Sequence, residues 1–146
     1  MTTELTQNRI TDLFAQKSER LLNVYFTAGF PNLNDTVTVL RGLQQAGVDI
    51  VEIGMPYSDP IADGETIQQS NNRALGNGMS LKTLFAQLAG CRAEGLKVPI
   101  LLMGYVNPVL QFGVEAFCQK CREVGVDGVI LPDLPLDLFL AEYADI

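Results

Sequence analysis

The chain has 146 residues, with 10 Lys+Arg against 17 Asp+Glu for a formal charge of −7, and 47% of it is hydrophobic. That length suits one domain or part of one, and the apolar fraction is enough for a core. The acidic balance disfavours nucleic acid as a partner, because phosphate contacts need a basic face, and the lack of any histidine removes Ser-His-Asp and Cys-His nucleophiles and His-ligated zinc.

The N-terminal MTTELTQNRI is polar, and no apolar run approaches the ~18 residues of a membrane span. Ile10, Leu13 and Phe14 at helical spacing predict a helix over 8–16. The apolar run Leu21–Phe26 predicts a buried strand that stops at the turn signal Thr27–Pro31. Asn34 or Asp35 can cap a helix carrying Val37, Leu40 and Leu43 and closed by Gly47. Ile50–Ile53 is a second short strand, followed by a loop rich in Gly, Pro and Asp to about Thr66. A short helix is expected over Ile67–Leu75 and a longer one from the cap Ser80 to about Glu94. Pro99–Met103 is a third strand, with a loop at Gly104–Asn107 and a helix over Val114–Val124 closed by Gly125. Gly128–Leu131 is a fourth strand, and Asp137–Ala144 a last helix.

The order is one helix and then strand–helix four times. Gly47-Val48-Asp49 before the second strand echoes Gly125-Val126-Asp127 before the fourth, as expected of a repeating βα unit. Short strands without polar alternation are buried on both faces, which predicts a parallel sheet. Two architectures remain: an open doubly wound sheet or a (β/α)8 barrel. TAGFPN after the first strand is not the GxGxxG of a dinucleotide site. A whole barrel takes about 250 residues, so four βα units in 146 residues would be about half of one.

Glu52 is the sharpest chemical signal. It stands between Val51 and Ile53. If those two face the helices, alternation turns Glu52 to the barrel interior, where a carboxylate poorly hydrated by its surroundings could give and take a proton. The plain alternative is an ion pair with a buried Lys or Arg. Asp63 lies in the following loop, whose path Pro56, Pro60 and Gly64 restrict. It could be the second acid of a pair or a turn residue bonding its own backbone. Cys118 and Cys121 are three residues apart in one predicted helix. With no second cysteine pair and no histidine, they read as packed thiols. The odd set Cys91, Cys118 and Cys121 fits free thiols in a reducing cytoplasm.

VEIGMPYSDPIADG (Val51–Gly64) resembles the signature of the tryptophan synthase α subunit family. YFTAGFP (Tyr25–Pro31), TIQQSNNRAL (Thr66–Leu75), LLMGYVNP (Leu101–Pro108) and GVDGVILPDLP (Gly125–Pro135) resemble that family as well. The resemblance implies a TIM barrel, of which residues 1–146 would be about the first four βα units plus an N-terminal helix, the N-terminal part of a single domain that is incomplete at its C-terminus. It implies cleavage of indole-3-glycerol phosphate into indole and glyceraldehyde 3-phosphate, a retro-aldol step without metal or organic cofactor. It implies that Glu52 transfers the proton, including protonation of the leaving ring carbon. Asp63 would accept the indole N–H, and Tyr25 and Tyr105 would line the indole pocket. Leu131 would be pocket wall or core, and Asp133 a support for the Asp63 loop. Gly104 departs from a position that is often larger in the family. Pro56–Asp59, Asn107–Pro108 and Pro135 would face a β subunit carrying pyridoxal phosphate, in an α2β2 assembly.

The family's phosphate site belongs to later loops, so no anion cradle is expected in these residues, and the isolated chain is expected to be weak or inactive. The alternative is a catalytically incompetent half-barrel that self-associates or only docks on the β subunit. Another phosphate-sugar or indole-pathway barrel is a third reading, disfavoured because the acid-pair spacing and loop sequence match one family in detail.

Overall fold

A computed structural model describes residues 7–146. Helix α1 (Arg9–Gln16) begins at Asn8, whose side chain accepts from the amides of Ile10 and Thr11 while Thr11 reaches back, a reciprocal cap. Strands β1 (Asn23–Thr27), β2 (Ile50–Gly54), β3 (Ile100–Met103) and β4 (Gly128–Ile130) form one sheet in chain order, every pair parallel. Helices α2 (Asp35–Gln45), α3 (Glu65–Gly76), α4 (Leu81–Leu88), α5 (Val106–Phe112) and α6 (Val114–Val124) occupy the connections. A short helix α7 (Leu136–Leu138) runs on into a wider turn over Phe139–Tyr143.

The register sets the two faces. Val51, Ile53, Ile100 and Leu102 are buried toward the helices, where the core continues through Leu40, Leu84, Leu88 and Phe117. Phe85, Phe112 and Phe117 interlock there with ring centroids 5.5, 5.6 and 6.4 Å apart. On the opposite face Tyr25, Glu52, Leu101 and Gly128 lie in one cross-strand row. The alternation expected for Val51, Glu52 and Ile53 holds. Gly128 leaves room for its neighbour: a Cβ there would fall 2.7 Å from Leu101 Cδ2.

The repeated Gly-Val-Asp has one structural meaning in both copies. Gly47 and Gly125 take positive φ, 82° and 77°, which ends the preceding helix without a Cβ clash. The following aspartate then reaches the start of a neighbouring strand. Asp49 accepts from the amide of Leu22 at 2.7 Å and from Lys17 Nζ at 2.8 Å. Asp127 accepts from the amide of Ile100 at 2.9 Å, and from Arg92 and Arg9, each at 2.9 Å. In both cases a cation from the N-terminal helix or its cap closes the contact.

Three stretches differ most from expectation, the other boundaries shifting by one or two residues. The helix expected to run to about Glu94 stops at Leu88, because Ala89 turns to ψ 128° and Gly90 to φ 81°. The released segment lets Arg92 donate to the carbonyls of Leu96, Val98 and Gly125. Val106 begins a helix where a loop was expected. Pro108 falls in its first turn, where a missing N–H costs nothing. The last helix is only partly α-helical and buries no residue.

Candidate active site

The site lies at the C-terminal ends of β1–β3. Tyr25 projects from β1 across Gly54 of β2, so closely that a Cβ on Gly54 would sit 2.1 Å from the Tyr25 hydroxyl. Beyond Gly54 the chain buries Met55 and then loops out through Pro56–Gly64. Ile61, at its tip, is 90% exposed. The loop returns as the Asp63 amide bonds Pro60 O at 3.0 Å, and Gln68 of α3 donates to Asp63 O at 2.8 Å.

Tyr105 is the anchor of this loop. Its hydroxyl donates to Asp63 Oδ2 at 3.2 Å and accepts from the Ala62 amide at 3.0 Å. Its ring stacks at a tilt on Tyr57, centroids 5.2 Å apart, and Asn107 donates to the Tyr57 hydroxyl at 3.1 Å. Tyr105 is itself held from the far side, since both carboxylate oxygens of Asp133 accept from the amide of Val106, at 2.9 and 3.2 Å. Burial, above all, and the neighbouring Asp63 and Asp133 carboxylates raise the Tyr105 phenol above its usual range, against the lowering hydrogen bond from Ala62.

Tyr25, Met55, Asn71, Met103 and Tyr105 surround Asp63 in a cavity of about 270 Å³. Tyr25 is raised as well, mainly by burial and further by the negative fields of Asp63 and Glu52, against a lowering contact with Thr27. Both carboxylates therefore act on this one phenol. Glu52 differs from the other sequence candidates in where its head group lies. Its side chain is half-buried on the concave face and its carboxylate accepts from Asn23 Nδ2, toward the N-terminal end of β1. The cavity walls bring together Tyr25, Asp63 and Tyr105, and Glu52 is not among them.

A second cavity, of about 350 Å³, lies behind β4 between Val109, Phe117, Cys118, Val129 and Phe139. Among the described residues it is largely apolar, with no Asp or Glu in its lining. Leu131 lines this outer cavity rather than the one around Asp63. Asn71, Met55 and Met103 were not singled out in the sequence. Asn71 had a weak signal: it is a polar residue between Ser70 and Ala74 on the buried face of α3.

The sequence profile of the tryptophan synthase alpha chain matches residues 12–140. The chain belongs to the tryptophan synthase alpha chain family. It is 55% identical over 136 residues to the tryptophan synthase alpha chain of Flavobacterium johnsoniae, covering 93% of this chain and 53% of that one. It is 54% identical over 139 residues to the one of Parabacteroides distasonis, covering 95% and 54%. Among solved structures, the alpha subunit of Legionella pneumophila superposes with a TM-score of 0.86 at 35% identity, over 92% of this chain and 52% of that one. A chain of the Mycobacterium tuberculosis tryptophan synthase, in an aminoacrylate-bound form, gives 0.83 at 32%, over 92% and 56%. The chain thus spans about half the length of the tryptophan synthase alpha chains it matches, and its four-stranded parallel sheet corresponds to part of their (β/α)8 barrel.

Proposed function

We propose that this chain carries the cleavage chemistry of a tryptophan synthase alpha subunit in tryptophan biosynthesis, the lyase step that splits indole-3-glycerol phosphate into indole and glyceraldehyde 3-phosphate. The observation that carries the reading is Asp63, held by Tyr105 in a largely apolar cavity of about 270 Å³, a size and lining suited to a flat ring with one N–H. The Asp63 carboxylate accepts that N–H and steadies the positive charge that spreads over the ring as its carbon takes a proton. Glu52 transfers the proton, and for this its carboxyl leaves Asn23 and turns along β1 toward Tyr25. The bond between ring carbon and glycerol chain then breaks, and Glu52, ionised by its donation, takes the proton of the chain's hydroxyl as the aldehyde forms. One acid has to hold a proton while the other stays ionised. The reaction takes no cofactor from this chain. Pyridoxal phosphate belongs to the β subunit, the partner in an α2β2 assembly, and indole passes to it.

Glu52→Gln and Asp63→Asn test the assignment in a chimaera carrying the C-terminal half of the Flavobacterium johnsoniae relative, because the isolated chain is expected to be weak or inactive. Indole release is expected to fall at least about 100-fold in each variant. Retained release in both would end the reading. A second reading, a half-barrel that self-associates or only docks on the β subunit, draws support from Val129 of β4, 40% exposed, and Leu136 and Leu140, 67% and 61% exposed. It predicts a chain above monomer mass by size exclusion with no lyase activity, while the chimaera is active.

A further inference from the structure

The cavity around Asp63 contains a polar group that the proposed reaction leaves unused. Asn71 lies in α3, is 3% exposed, and forms part of the cavity wall beside Asp63 and Tyr105. Among the described residues its buried amide oxygen has no hydrogen-bond partner. Its polar neighbours on the helix are paired: Ser70 Oγ meets Thr27 Oγ1 at 2.7 Å and Ile67 O at 2.9 Å, and Gln68 Nε2 donates to Asp63 O at 2.8 Å. A buried amide oxygen without a partner keeps its whole desolvation penalty, which an apolar side chain of the same shape would not incur. Leucine would fill this position at lower cost, so the fold alone gives no reason for an amide here.

We propose that Asn71 is a ligand-contact residue of this cavity, its amide bonding a hydroxyl on the polyol chain of the substrate. The inference rests on the reading of the site as one for indole-3-glycerol phosphate. In that substrate Asp63 takes the ring N–H, and the phosphate at neutral pH chiefly accepts. The hydroxyls of the glycerol chain remain. A hydroxyl both donates and accepts, and a carboxamide offers one group of each kind. Indole alone has no such hydroxyl, so Asn71 distinguishes the substrate from its product ring.

The test compares wild type with Asn71→Leu, reading the denaturant midpoint and the affinities for indole-3-glycerol phosphate and for indole. The midpoint is expected to rise, the glycerol phosphate to bind about 5- to 10-fold more weakly, as the loss of one neutral hydrogen bond implies, and indole to bind as before. A lower midpoint with both affinities unchanged would make Asn71 a structural residue and overturn the proposal. Equal weakening of both ligands would make it a wall of the ring pocket and overturn it too. Should Asn71→Leu not fold, Asn71→Thr takes its place in the same two-ligand comparison: selective weakening of the glycerol phosphate supports the proposal, and unchanged or equally weakened affinities overturn it. If wild type binds neither compound, the substrate reading itself falls, and the ligand assigned to Asn71 falls with it.

Discussion

Tyr25 and Gly54 form a matched pair. The phenol lies where any side chain on residue 54 would have to go, so Gly54 gives the ring its place across β2. Gly54→Ala forces the ring to swing out, and overpacking of this kind costs about 1–3 kcal/mol. The expected result is a lower denaturant midpoint for Gly54→Ala, much of it recovered when Tyr25→Val is added. A purely additive double variant would show that the two do not compete for space. The sequence pointed to Tyr25 and Tyr105 only through a family resemblance. It did not reveal that Tyr105 grips Asp63 and Ala62, because a contact between residues 63 and 105 has no local pattern. Nor did it reveal that the Glu52 carboxyl is bonded to Asn23: alternation fixes the face on which a side chain starts, not the rotamer that places its end. The cysteine reading is matched by packing. Cys91 and Cys121 are buried and all three thiols are free, and burial pushes the Cys121 thiol up to about 12.

At the scale of elements, the Gly-Val-Asp repeat was visible as a sequence echo, and its glycines were readable as helix ends. The work of its aspartates was not, since each bonds an amide at the start of another strand, Leu22 just before β1 and Ile100 of β3. Asp127 is the more buried of the two, its side chain 2% exposed against 13% for Asp49, and its partner Arg92 is 16% exposed. Asp127→Ala leaves Arg92 without its carboxylate and the Ile100 amide without its acceptor, and should cost about 3 kcal/mol or more, read as a fall in denaturation midpoint. A loss well under 1 kcal/mol would show that the ion pair contributes little. Asp49 gives a pH signature. The hydrogen bond from Lys17, then that from the Leu22 amide, holds its carboxyl below the ordinary 3.8. A lowered carboxyl contributes stability that is complete above the unfolded value and disappears as pH falls through the folded one. The stability gap between wild type and Asp49→Asn should therefore stay constant above about pH 5 and close below about pH 4. A gap that widens on acidification would contradict the assignment.

Across the molecule, the order of strands and their parallel sense were legible because buried parallel strands are short, apolar and separated by helices with glycine ends. The least legible segments were those whose conformation depends on distant partners. The segment after Leu88 is shaped around Arg92 and its acceptors near β3 and β4. The start of α5 is fixed by Asp133, at the other end of the next βα unit. The grip on Asp63 has the same long-range character, and among the described residues it draws on Tyr105 directly and on Asp133 through the first turn of α5. Protein synthesis runs from the N-terminus, so this grip can close on the ribosome as soon as Asp133 has cleared the exit tunnel. The loop bearing the acid can then already be set in place while translation of any downstream polypeptide continues.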